Sequence, residues 1–221
     1  MATATAGSQK QTRVSPGVVF YNVTWVDYGA MLRIVGERPI RVTYDQGTME
    51  VFLPSFGHHN DAYLLGRMVD MLTEELELDV IGGGTTTHKR QDLDKGAEPD
   101  KCYWLRDNAR RVRGKRQLDF NADLVPDLII EVDVTRTSLD RLKIFAALRV
   151  PEVWRSEGRT LQFLHLQADG TYRRRTTSRN FPLCRSHQSL DFSSRVGPPT
   201  RRPGSGRSGP SCASKSFHGL D

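Results

Sequence analysis

Long apolar runs are missing from this sequence. No stretch of 18 apolar residues occurs, so no membrane-spanning helix is expected. The first residues, MATATAGSQKQTRVSPG, contain no apolar core of the kind a secretory leader needs, so export is not expected. Cysteine is scarce: Cys102, Cys184 and Cys212 share no CxxC spacing, which argues against a structural zinc site or a disulfide framework. A reducing cytoplasm is the expected location. Acids are missing from residues 1–17, which carry Lys10 and Arg13, and are sparse in 182–221, which hold six basic residues and two acids. Of the 32 Lys and Arg and 26 Asp and Glu, 24 of each therefore remain in 18–181. The net charge of +6 reports on the ends of the chain, not on a basic binding face.

The 221 residues suit one domain with tails. Residues 1–17 are small and polar, and are expected to be a disordered tail. Beyond Phe181-Pro182-Leu183 the composition turns to Gly, Pro, Ser and Arg, so 185–221 is read as a second, basic disordered tail. The domain is expected over 18–184. Within it, Tyr28, Met31, Leu32 and Val35 mark a short amphipathic helix from Trp25 to Val35. Ile40 to Tyr44 and Thr48 to Phe52 alternate as strands around Asp45-Gln46-Gly47, a hairpin signal. Leu64, Leu65, Met68, Val69, Leu72 and Leu76 recur at helical spacing, with Asn60 or Asp61 as the expected cap. Further strands are expected at Val80-Ile81, Thr85 to Lys89, Cys102 to Trp104, Leu128 to Val134, Val153-Trp154, Leu161 to Leu166 and Tyr172 to Arg175. Asp107 to Gln117 reads as a basic loop, and Leu139 to Arg149 as a helix stopped by Pro151.

What is present is a pattern of carboxylates. The apolar run Leu128-Ile129-Ile130 delivers Glu131, and Asp133 follows on the same face of the strand. A buried carboxylate is costly without a partner or a metal, so Glu131 calls for one. Glu98-Pro99-Asp100 supplies a second acid upstream. Arg141 and Lys143 follow Glu131 on the next helix, about 200° apart in rotation, so only one of them can face a cleft. Acids on neighbouring strands with a basic group nearby suit a divalent-metal site for phosphodiester hydrolysis. Glu50 is a further acid that could face such a cleft. The clusters Arg110-Arg111-Arg113-Lys115-Arg116 and Arg173-Arg174-Arg175 read either as solvated surface or as phosphate contacts.

Three blocks, RVTYDQGTMEVFLPSFGHH, LDKGAEPDKCYW and PDLIIEVDVTRTSLDR with IFAALRVPEVW, resemble the Uma2 family of restriction-endonuclease-like proteins, within the PD-(D/E)XK nuclease superfamily. The resemblance runs from about Tyr21 to Leu183. It implies an α+β restriction-endonuclease-like core, a mixed sheet flanked by helices, with an added N-terminal helix and hairpin. It also implies Mg²⁺- or Mn²⁺-dependent cleavage of DNA. Asp100 matches the first metal-binding aspartate, Glu131 the acid on the next core strand, His58 the histidine before the long helix, and Arg141 the helix lysine. Asp133 stands where the superfamily motif has lysine, which makes it a candidate third metal ligand. Arg141 or Lys143 would then supply the positive charge, and an arginine stabilises charge but cannot act as a base. Arg149 stands where the family has a helix-ending glycine, a placement that strains the turn.

The catalytic candidates are thus Asp100, Glu131, Arg141, Lys143 and His58, and the metal candidates Asp100, Glu131 and Asp133. The leading function is a metal-dependent DNA endonuclease, with a homodimer as the expected way to reach two strands. A non-catalytic nucleic-acid-binding or protein-interaction module on the same fold is the main alternative, favoured by the missing lysine. A hydrolase of small phosphoesters is a third reading.

Overall fold

The computed structural model describes residues 17–133, 139–157 and 160–185. Most of the two expected tails therefore lies outside the described residues, as does the turn expected over 135–138. Gly17 opens a strand, and Arg185 pairs with Thr177 in an isolated bridge.

Local chemistry sets the first elements. After strand β1 (Gly17–Phe20), helix α1 (Trp25–Val35) is started by a capping box. Asp27 N–H donates to Thr24 Oγ1 at 3.2 Å, and Thr24 N–H donates back to Asp27 Oδ2 at 2.9 Å. Strands β2 (Arg41–Asp45) and β3 (Thr48–Phe52) form the expected hairpin. Its two loop residues, Gln46 and Gly47, both have positive φ (46° and 86°), which is the backbone that matches the strand twist. Tyr28 of α1 stacks on Tyr44 of β2, with centroids 5.0 Å apart, and the two anchor a small core.

The long helix α2 (Phe56–Glu75) starts earlier than the expected cap at Asn60 or Asp61. Ser55 caps it instead, accepting from His58 N–H at 3.3 Å, so His58 lies inside the first turn. The polar His58-His59-Asn60-Asp61 run hid that start, because a helix entry needs only the serine. Strands β4 (Val80–Gly82), β5 (His88–Arg90), β6 (Lys95–Ala97) and β7 (Lys101–Leu105) follow. The segment read as a basic loop contains helix α3 (Asp107–Val112), whose Ala109 and Val112 are buried. At six residues it is too short to show a helical period in the sequence. Then come β8 (Leu128–Val132), α4 (Arg141–Ala147), β9 (Glu152–Glu157), β10 (Thr160–Leu166) and β11 (Tyr172–Arg175).

The strands make two sheets. One runs β1-β3-β2-β6-β5 and includes the hairpin; the other runs β11-β10-β9-β8-β7-β4. The second is the expected mixed sheet: β8 and β9 are parallel, joined through α4, and its other pairs are antiparallel. One of its faces carries Cys102, Ile129, Val153 and Leu164, packed with Ile144 and Phe145 of α4 and with α3. The opposite face carries Ile130, Trp154 and Phe163, and α2 packs there through Gly66 beside Tyr103 and Lys101. Glu98-Pro99-Asp100 crosses from β6 of the first sheet to β7 of the second. Within the first sheet, α1 lies close on β6: a Cβ at Gly96 would run into the Tyr28 ring.

Helix α4 spans Arg141–Ala147, two residues shorter at each end than the expected Leu139 to Arg149. Arg149 has φ +65°; its N–H donates to Ala146 O at 3.0 Å and the Val150 N–H to Phe145 O at 3.0 Å. This is a Schellman closure carried by a residue with a Cβ. Arg149→Gly should therefore raise stability by about 0.5–1 kcal/mol, read as a higher urea midpoint with an unchanged m-value.

His88 of β5 is fully buried between the sheets, stacked on Phe120 with centroids 4.2 Å apart. Burial drives its pKa down from the ordinary 6.5 to about 3. The unfolded chain thus binds a proton below pH 6.5 that the folded chain refuses until about pH 3, so stability falls as pH drops through that window. The loss should reach about 2 kcal/mol by pH 5. His88→Phe should flatten the slope, measured as the change in urea midpoint between pH 7.5 and pH 5.

Candidate functional site

Four chain segments meet at one end of the six-stranded sheet. The β6–β7 crossing delivers Asp100, the end of β8 delivers Glu131, and the first turns of α2 and α4 deliver His58 and Arg141. Lys101 pairs with Ile130 across the antiparallel β7–β8 ladder, so Asp100 stands opposite Glu131. Cross-strand neighbours share a face, so both carboxylates point the same way. Both are buried.

Each acid is held by specific donors. Asp100 Oδ2 accepts from the Val132 N–H at 2.8 Å. Its Oδ1 lies 2.9 Å from His58 Nε2. Glu131 Oε1 accepts from Arg141 Nη2 at 3.0 Å, and the same nitrogen donates to the Glu98 backbone carbonyl. The Arg141 guanidinium also lies 5.7 Å from the centroid of the Phe52 ring. Burial pushes the Glu131 carboxyl up to about 8 against the pull of Arg141, and the neighbouring Asp100 charge adds to the rise. Burial lowers the His58 pKa, with Asp100 opposing, so the ring is held toward its neutral form. His58 Nε2 and Arg141 Nε are buried without a hydrogen-bond partner among the described residues.

The other candidates lie further out. Asp133 is paired with Arg155, and its N–H donates to Ser156 O at 2.7 Å. Lys143 points to solvent, with its side chain 77% exposed and 3.7 Å from Asp140 Oδ2. Of the two helix cations, Arg141 faces the cleft, 8% exposed. Glu50 is buried, and its Oε2 accepts from the Leu139 N–H at 3.4 Å. The cleft encloses a cavity of about 90 Å³ lined by Phe52, His58, Glu131, Asp133, Arg141 and Arg155, among others. Sequence reasoning missed Arg155 and the Glu98 carbonyl. Arg155 follows an apolar Val153-Trp154 run and gave no motif signal; only its register with Glu131 brings it in.

A mixed sheet with two juxtaposed carboxylates at its end, flanked by helices, is a restriction-endonuclease-like α+β architecture. Residues 25–195 match the model of the Uma2 family, described as "Putative restriction endonuclease". The chain belongs to the Uma2 family. Comparison with curated proteins finds no match.

Among the described residues, no group of three or more His, Cys, Asp and Glu side chains is arranged to hold a metal ion. The pair Asp100 and Glu131 nevertheless fits a hard divalent cation. Mg²⁺ favours oxygen donors and is commonly held by only one or two carboxylates, with water or phosphate completing its shell. Two buried acids side by side also make a site that a cation relieves electrostatically.

Removing one member of the Glu131–Arg141 pair leaves a buried charge alone. Arg141→Ala should cost about 3–5 kcal/mol, whereas Lys143→Ala should stay within about 0.5 kcal/mol. Adding Glu131→Gln to Arg141→Ala should restore part of the loss. Denaturant unfolding of the three variants checks this.

Proposed function

We propose that the protein is a metal-dependent DNA endonuclease, with Mg²⁺ or Mn²⁺ held by Asp100 and Glu131. The observation that supports this most is the pairing of two buried carboxylates across β7 and β8, in a chain of the Uma2 family. A divalent ion bound there polarises the scissile phosphate and lowers the pKa of a bound water. The chain's own residues prepare the site. The Val132 N–H and the neutral His58 ring fix the rotamer of Asp100. Arg141, anchored on the Glu98 carbonyl, offsets the charge of Glu131 and holds its carboxylate at the cleft. Asp133 is engaged by Arg155, which speaks against its serving as a third metal ligand. A homodimer in the cytoplasm, presenting one cleft to each strand, completes the proposal.

The non-catalytic module remains a second reading, supported by one observation. One Asp100 oxygen and one Glu131 oxygen already accept from protein donors, and the other Asp100 oxygen lies 2.9 Å from His58 Nε2. The two readings part in a single assay of supercoiled plasmid with Mn²⁺. The nuclease should convert it to nicked or linear forms, and Asp100→Ala and Glu131→Gln should each lower the rate at least about 100-fold. Both variants should also lose the Mn²⁺ heat signal in titration calorimetry. A wild-type chain that binds DNA but leaves the plasmid intact, with no Mn²⁺ heat, would favour the module.

A further inference from the structure

The cleft holds a cation that belongs neither to the Glu131 strand nor to the helix that follows it. Arg155 stands on β9 in direct parallel register with Glu131. Asp100, Glu131 and Arg155 therefore form one row across three adjacent strands, on the same face. The residue two beyond Glu131 is Asp133, and its carboxylate accepts from Arg155 Nη2. Asp133 is itself pinned, since its N–H donates to Ser156 O at 2.7 Å. The acid is thus fixed by the backbone of β9, and the arginine of β9 is fixed by the acid.

Lys143, Arg141 and Arg155 differ in what they have left to offer. Lys143 is in solvent. Arg141 is sealed, with Nη2 shared between Glu131 and the Glu98 carbonyl. Arg155 is 33% exposed, lines the same cavity as Glu131 and His58, and among the described residues commits only Nη2. A guanidinium carries five N–H donors, and one Nη2–H to Asp133 leaves the two Nη1–H donors, alone or with the second Nη2–H, to receive an oxyanion. An ion pair about a third exposed contributes little to stability, so stability alone is a weak reason for this arrangement.

We propose that Arg155 is the residue that binds the substrate phosphodiester in this cleft, with Asp133 as the positioning residue that orients its guanidinium. The positive charge absent from the strand position after Glu131 enters from the neighbouring strand, through a salt bridge to the residue at that position. The inference rests on the nuclease reading and names the side chain that meets the DNA backbone.

The test uses the full chain and a fluorescently labelled DNA duplex in EDTA, with binding followed by anisotropy over a range of KCl concentrations. Plasmid cleavage with Mn²⁺ and thermal melting are measured in parallel. Arg155→Gln should flatten the salt dependence of log Kd by about 0.9, the loss of one phosphate contact. It should slow cleavage about 100-fold or more, with a melting temperature within a few degrees of wild type. Arg155→Lys should keep the salt slope, because the charge remains, yet lose much of the cleavage rate, because the fork is gone. Asp133→Asn should tighten DNA binding by removing a repulsive charge while slowing cleavage. The double variant Asp133→Asn/Arg155→Gln should still show the flattened slope. A double variant that regains the wild-type slope would mean that Arg155 merely masks Asp133, and overturns the proposal. So would an Arg155→Gln chain that binds and cuts like wild type. A wild-type chain that neither binds nor cuts DNA would instead overturn the nuclease reading itself.

Discussion

Two carboxylates are buried side by side where β7 and β8 meet, and the local architecture follows from what that requires. Desolvating a single carboxylate costs several kcal/mol, and a second one nearby raises the cost. Asp100 and Glu131 are tolerated because each meets a fixed donor set. The Val132 N–H donates to Asp100, whose other oxygen lies 2.9 Å from His58 Nε2, and Arg141 donates to Glu131. Burial still wins at Glu131, whose carboxyl is pushed up to about 8.

That constraint accounts for features distant in sequence. Pro54 and Ser55 start α2 early enough to put His58 in its first turn. Glu98-Pro99-Asp100 leads directly from β6 of the five-stranded sheet into β7 of the six-stranded one. That crossing places a backbone carbonyl where Arg141 can use it. The Schellman closure at Arg149 turns the chain from α4 into β9, which sets Arg155 beside Glu131. The site is therefore a junction of two sheets and two helix starts, held by backbone groups as much as by side chains.

Much of this was legible in the sequence. The first helix and the hairpin were readable at or near their limits, because amphipathic spacing and turn chemistry are local. The Leu128-Ile129-Ile130-Glu131 strand was readable because a buried acid after an apolar run is costly without a purpose. The division into two sheets was not readable, since pairing β6 with β2 depends on contacts some 50 residues apart. Helix α3 was too short for periodicity, and the start of α2 was masked by polar residues. Arg155 was missed because its meaning lies in cross-strand register, and the Glu98 carbonyl because a backbone acceptor has no signature of its own. The strain expected at Arg149 came from the family resemblance, which puts a helix-ending glycine there, and the residue has φ +65°.

The central claim is that Asp100 and Glu131 together form one divalent-cation site. Crystals of the protein grown with Mn²⁺ and measured at the manganese absorption edge test it most directly. The account predicts an anomalous peak bonded to oxygens of both carboxylates, with Arg141 still on the Glu98 carbonyl. Manganese bound elsewhere, or no peak and both carboxylates still held by His58 and Arg141, would contradict it.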